Sequence, residues 1–259
     1  MTSHYVRLYA WVEATNEASA VENHPLTRRS YSEKESTMKN AQNMGGIAAL
    51  LGAATNLLAL VIFVTVLAPK GYGSDDPDQI VAFLAGNQDL LRVWYLIIYV
   101  VFGVSLIFLS LALNERLKAG SPALVQAVTI FGLIWAVLVI VMGALSINNM
   151  STVVDLYGEH PAQAATVWLT LDSVETGLGN NGGETIINAV WFLLLSWAAV
   201  RAGALPRILN FLGVVVGGAG FLSVVLAVPA LTAVYGLGLI IWLGWLGIVM
   251  LRRSPVSAA

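Results

Sequence analysis

The stretch 123–147, ALVQAVTIFGLIWAVLVIVMGALSI, runs for 25 residues without one Asp, Glu, Lys, Arg or His. A helix needs about 20 apolar residues to cross a hydrocarbon core of about 30 Å, so this stretch is long enough to span a bilayer. Five more charge-free stretches flank it, at 46–68, 93–113, 185–200, 208–228 and 232–251. The fourth in chain order, 185–200, is the shortest, and Gly203 and Pro206 stop it. The reading is an all-α polytopic membrane protein with six transmembrane helices.

Composition agrees. The chain is 58% hydrophobic and 11% charged, with a mean hydropathy of +0.77, outside the range of a soluble globular domain. A net charge of −2, with no Lys/Arg run interleaved with aromatics, argues against a nucleic-acid partner. The absence of cysteine removes disulfides, thiolate metal sites, iron–sulfur clusters and cysteine nucleophiles together. Three histidines, with His4 and His24 upstream of the first apolar stretch, are too few for a membrane haem protein. No cofactor is implied.

Basic residues set the expected orientation, because cytoplasmic flanks of membrane helices are enriched in Lys and Arg. Lys39, Arg116, Lys118, Arg201, Arg207, Arg252 and Arg253 fall on one side of the six segments, and only Lys70 and Arg92 on the other. Both termini are therefore expected in the cytoplasm, in a cell membrane, with the long loops 69–92 and 148–184 outside. Each loop should hold a short helix. Asp78 is the expected cap of one over 79–90, and Pro161 the expected first residue of one through about Thr176, ended by Gly177, Gly179, Asn180 and Gly182.

Residues 1–37 are polar, aperiodic and lack an apolar signal-peptide core. They are expected to be a disordered leader ahead of the 38–253 membrane domain, with 254–259 a short cytoplasmic tail. Lys34-Glu35 is encodable as a ribosome-binding sequence, and Ser36-Thr37 as its spacer before Met38. One hypothesis is therefore that translation starts natively at Met38; the other is a genuine cytoplasmic tail.

Polar groups inside the segments are the first place to look for chemistry, because they are costly there. Asn56 and Asn188 lie well inside theirs, while Asn148 and Asn149 end the third. Asn56 and Asn188 either bond neighbouring helices or line a polar pocket with Tyr99, Trp135 and Trp191. A second set lies in the outer loop. Asp172 and Glu175 are three residues apart on one helical face, flanked by Glu159, His160 and Glu184. That set is either an oxygen-rich site for a cation such as Ca²⁺ or Mn²⁺ or a solvated acidic face, with His160 starting a helix. Gly213-x-x-x-Gly217 is either an internal packing seam or a homodimer seam.

Enzymatic motifs are missing. Gly177-Leu-Gly179-Asn-Asn-Gly182 matches a dinucleotide-binding pattern by letter, but it ends a loop helix instead of following a strand. An intramembrane hydrolase or a proton-coupled pump would want acids within the helices, and none lies inside the segments as drawn.

The body resembles the bacterial six-helix family called domain of unknown function 4386. The stretches that carry the likeness are Met38-Lys-Asn through Gly45-Gly-Ile-Ala-Ala-Leu-Leu-Gly52, Leu205-Pro-Arg-Ile-Leu-Asn-Phe-Leu-Gly213, and the glycine-rich fifth segment leading to Trp242-Leu-Gly-Trp245. The resemblance covers about 38–253. It implies a six-helix membrane fold and brings no activity or catalytic residues. The functional expectation is binding or transport of a small apolar or amphipathic molecule; the alternative is a non-catalytic membrane scaffold or partner subunit. A C-terminally tagged product should have the mass of a chain begun at Met38, and a full-length species would refute the late start.

Overall fold

A computed structural model describes residues 25–179 and 181–252. The expected tail, Asn180, Arg253 and the leader up to residue 24 lie outside the described residues. The chain separates into two units, Met1–Ala41 and Gln42–Ala259. Helix α1 (Pro25–Ile62) begins upstream of Met38. Pro25 suits a first helical turn, and Arg, Glu, Lys and Met in the run after it favour helix. Everything below concerns the second unit.

α1 continues through a π-helical turn, Phe63–Leu67, and a short 3₁₀ turn, Ala68–Lys70. Then follow α2 (Pro77–Gly86) and α3 (Gln88–Tyr95). A second π-helical stretch, Leu96–Val101, leads into α4 (Phe102–Leu117). The remaining helices are α5 (Pro122–Glu159), α6 (Pro161–Leu178), α7 (Gly183–Ala202), α8 (Arg207–Leu226) and α9 (Pro229–Arg252).

Among the described residues, six stretches are long and apolar enough to cross a membrane: Met38–Lys70, Gln88–Leu117, Pro122–Glu159, Pro161–Ala202, Arg207–Leu226 and Pro229–Arg252. The protein is a multi-pass membrane protein. α4 and α5 pack as a hairpin, as do α7 and α8, because the turns between them are too short for any other arrangement. Gly203, at φ 60°, caps α7 in the left-handed region that glycine adopts without strain.

α5 differs from expectation. It does not end at Asn148 and Asn149 but runs to Glu159; its 38 residues extend about 57 Å at 1.5 Å each, well beyond a hydrocarbon core. Two asparagines do not stop it because apolar packing continues past them. Met150 and Val153 are fully buried with Leu67, Val81, Leu84, Leu91 and Ala164 in a second apolar cluster. That cluster joins α2, α3, α5 and α6 over one end of the bundle, so the two long connections form a folded cap. The cap of α2 is Asp76, not Asp78. Asp76 accepts from the Asp78 amide at 3.0 Å, since Pro77 occupies the first helical position and biases the residue before it away from helix.

The main core is aromatic. Trp135, Trp191 and Trp242 are almost wholly buried. Trp191 stands 5.3 Å from Trp135 and 5.8 Å from Trp242 between ring centroids, with Phe192 4.9 Å from Trp242. Glycines let the helices close around these rings. A Cβ at Gly213 would lie 2.4 Å from Ser196 Oγ, and one at Gly217 2.9 Å from the Ala189 carbonyl and 3.0 Å from Phe192 Cβ. Both glycines of the Gly-x-x-x-Gly pair thus pack against α7 within the chain. Gly218, the next residue, has nothing within 4 Å of its Cβ position.

These neighbours should behave oppositely. Gly217→Ala should lower stability in mild detergent by about 1–3 kcal/mol, the usual cost of overpacking. Gly218→Ala should leave the thermal midpoint unchanged or slightly raised, as alanine replaces glycine in a helix. Equal tolerance of both would contradict the packing described.

Candidate functional site

Between the aromatic core and the folded cap lies a cavity of about 380 Å³. The π-helical stretch and its flanks supply Trp94, Tyr95, Ile98, Tyr99 and Phe102; α1 and its π turn supply Asn56, Ala59, Leu60 and Phe63; Tyr72, Val139, Glu175 and Glu184 complete the wall. Both π-helical segments therefore border it, which is where such irregular turns are often found in functional sites. Tyr99 is admitted because Gly143 stands opposite: a Cβ there would lie 2.5 Å from Tyr99 Cβ. Tyr95 and Tyr99 are 6.1 Å apart, and the Tyr95 and Tyr72 hydroxyls share a hydrogen bond at 3.0 Å. Tyr72 also packs edge-on to Trp94 at 5.7 Å. Burial pushes the Tyr72 hydroxyl up to about 12, so it keeps its proton at physiological pH.

Two carboxylates reach this cavity. Glu184, in the first turn of α7, is 5% exposed; its Oε1 accepts from the Trp135 indole at 3.1 Å. Its Oε2 is buried and has no hydrogen-bond partner among the described residues. Glu175, on α6, accepts from the Ser146 hydroxyl and from Asn149 Nδ2 at 2.9 Å. Both donors stand on α5, in the stretch where that helix passes from the core into the cap.

A larger groove of about 860 Å³ lies beside it, among α1, α8 and α9. Its wall includes Val224, Ala227, Thr232, Tyr235 and Leu239, and it shares Asn56, Leu60 and Phe63 with the first cavity. One face of α1 thus lines both.

The residues singled out in the sequence divide accordingly. Asn56 and Tyr99 line the acid-bearing cavity, Asn56 donating from Nδ2 to its own helix at the Gly52 carbonyl, 2.9 Å away. Trp135 does not line the cavity itself but stands behind two residues that do, bonded to Glu184 and packed on Phe102. Asn188 and Trp191 stand in the core instead. Asn188 donates to the Tyr235 hydroxyl at 2.7 Å, an interhelical bond of the kind amides make in membranes. The five residues of the expected cation site are not brought together. Glu175 and Glu184 enter the cavity, whereas Glu159, His160 and Asp172 are exposed. Among the described residues no three His, Asp or Glu stand close enough to hold a metal ion. His160 is the N-cap of α6, in keeping with the helix-start reading.

Sequence reasoning missed the joining of the two sets. Glu184 was placed outside the fourth segment because an apolar window stops at the first charge, although the helix itself begins one residue earlier, at Gly183. Tyr72 and Tyr95 carried no signal beyond being aromatic near a membrane surface.

No curated protein and no solved structure matches the chain. The profile of one family, described as domain of unknown function DUF4386, matches residues 44–249, a range that contains every residue lining the two cavities. On that match the chain belongs to the DUF4386 family.

Proposed function

We propose that this protein binds a small amphipathic molecule within the bilayer and moves it across or along the membrane. The observation that carries this reading is the shared wall. A groove with mostly apolar walls and a cavity with two carboxylates and several hydroxyls meet at Asn56, Leu60 and Phe63. A polar head and an apolar tail would each find a matching surface, and both volumes fall in the range of small-molecule sites. The proposal includes the cytoplasmic membrane as the site of action, with both termini cytoplasmic and the folded cap outside, on the strength of the basic flanks.

The native mass spectrum of the protein released from mild detergent tests the binding. The expected result is a reproducible adduct of defined mass, lost in Asn56→Leu. Asn188→Leu should keep the adduct while lowering stability by about 1–3 kcal/mol, because it leaves the buried Tyr235 hydroxyl unpaired. A bare protein in every preparation would favour a scaffold role instead. The orientation is testable separately, since the chain has no native cysteine. A cysteine at Ser74 should react with an impermeant maleimide in intact cells and one at Lys118 should not; the reverse pattern would invert the assignment.

A further inference from the structure

We infer that the head group recognised in the acid-bearing cavity is an organic ammonium ion, an inference that rests on the amphipathic reading above and narrows it to one charge. The cavity carries the carboxylates of Glu175 and Glu184, and no Lys, Arg or His is among its described lining residues. Acidic groups with no basic counterpart leave a cation as the complementary ligand. A second observation is independent of that count. Glu184 is 5% exposed, and its Oε2 has no hydrogen-bond partner among the described residues while the residue lines the cavity. Polar atoms so placed are normally satisfied by something.

The rings decide between kinds of cation. Tyr72, Trp94, Tyr95 and Tyr99 line the same space as the two acids, and aromatic faces attract ammonium groups. A hard metal ion asks instead for six or more oxygen ligands. Here Glu175 is already held by Ser146 and Asn149, Glu184 by Trp135, and no third acid joins them. Acids beside aromatic walls match an alkylammonium better: the charge meets carboxylate, and its methyl or methylene groups meet the rings. The tail would then follow α1 past Leu60 and Phe63 toward the larger groove.

The test uses three probes on the full-length protein in nonionic detergent, by calorimetry with protein-free micelles subtracted: benzyltrimethylammonium, its uncharged carbon isostere neopentylbenzene, and benzenesulfonate. The expected result is that the cation binds about tenfold or more tighter than the isostere, and that benzenesulfonate does not bind. Glu175→Gln and Glu184→Gln should each weaken the cation about thirtyfold or more, the loss typical of one buried charge partner. Glu184→Gln keeps an oxygen for the Trp135 indole, and Glu175→Gln keeps one for Asn149 while its amide can donate to the Ser146 hydroxyl. Tyr99→Leu removes a ring and no charge, and should weaken the cation while sparing stability. Equal affinity for cation and isostere, unmoved by the Gln variants, would overturn the ammonium assignment and leave the amphipathic reading standing. Absence of binding by either would overturn both. An ammonium-headed lipid offers the same chemistry as a free amine. Competition by phosphatidylethanolamine but not phosphatidylglycerol would support the assignment with a lipid as source, and the same cation affinity with both would support it with a free amine.

Discussion

A carboxylate buried at the head of a membrane-length helix is tolerable only if something holds it, and the Trp135 indole holds Glu184 by one oxygen. That contact links the parts of the bundle. Trp135 sits on α5 and Glu184 on α7, so the bond fixes how far one helix stands along the other. The same indole packs on Phe102 of α4 and on Trp191 and Phe192 of α7. The aromatic core and the polar cavity are therefore two sides of one side chain. The first turn of α7 also suits an acid, since the unbonded amides of a helix N-terminus favour negative charge.

The cavity exists because the backbone does not stay regular. Two π-helical turns, Phe63–Leu67 and Leu96–Val101, lie on helices that face each other across it. A π turn inserts an additional residue without ending the helix, which rotates the side chains beyond it relative to those before. In lipid this is the cheap way to build irregularity, because main-chain groups remain bonded within the helix. The long α5 supplies the other half of the design. By continuing past Asn149 it carries Ser146 and Asn149 to the level where Glu175 descends from α6, so the folded cap is fastened to the bundle by a carboxylate and two donors.

The fold was largely legible in the sequence because six uninterrupted apolar stretches admit few arrangements and short turns force antiparallel neighbours. The hairpins, the Gly203 stop and the helix after Pro161 all followed from local chemistry. The ends of elements were less legible, for physical reasons. Asn148-Asn149 reads as a boundary only if burial stops there, and Met150 and Val153 show that it does not. Asp78 looked like a cap until Pro77, which must lie inside the helix, moved the cap to Asp76. The site was legible in pieces, with Asn56, Tyr99, Trp135, Glu175 and Glu184 each picked out. Nothing in the spacing of Tyr99 and Glu175 along the chain could say that they share a wall, because that proximity is made by α5 and α6 folding back on each other.

The acid least legible in the sequence is Glu184, which stands just before the charge-free stretch 185–200 yet in the first turn of α7. A search for charge inside apolar windows defines each window by the absence of charge, so it cannot return an acid in the first turn of a helix. Yet the first turn is where an acid can be buried with least cost, supported by helix amides below and by donors from neighbouring helices. Glu184 uses that allowance with one oxygen, and its other oxygen is buried without a hydrogen-bond partner among the described residues. Glu175 is reached from the cap side and is anchored twice over, so it supplies charge without needing a ligand to satisfy it. One acid is committed to holding the structure together and the other is half free. That asymmetry favours the proposed binding role over a purely architectural one.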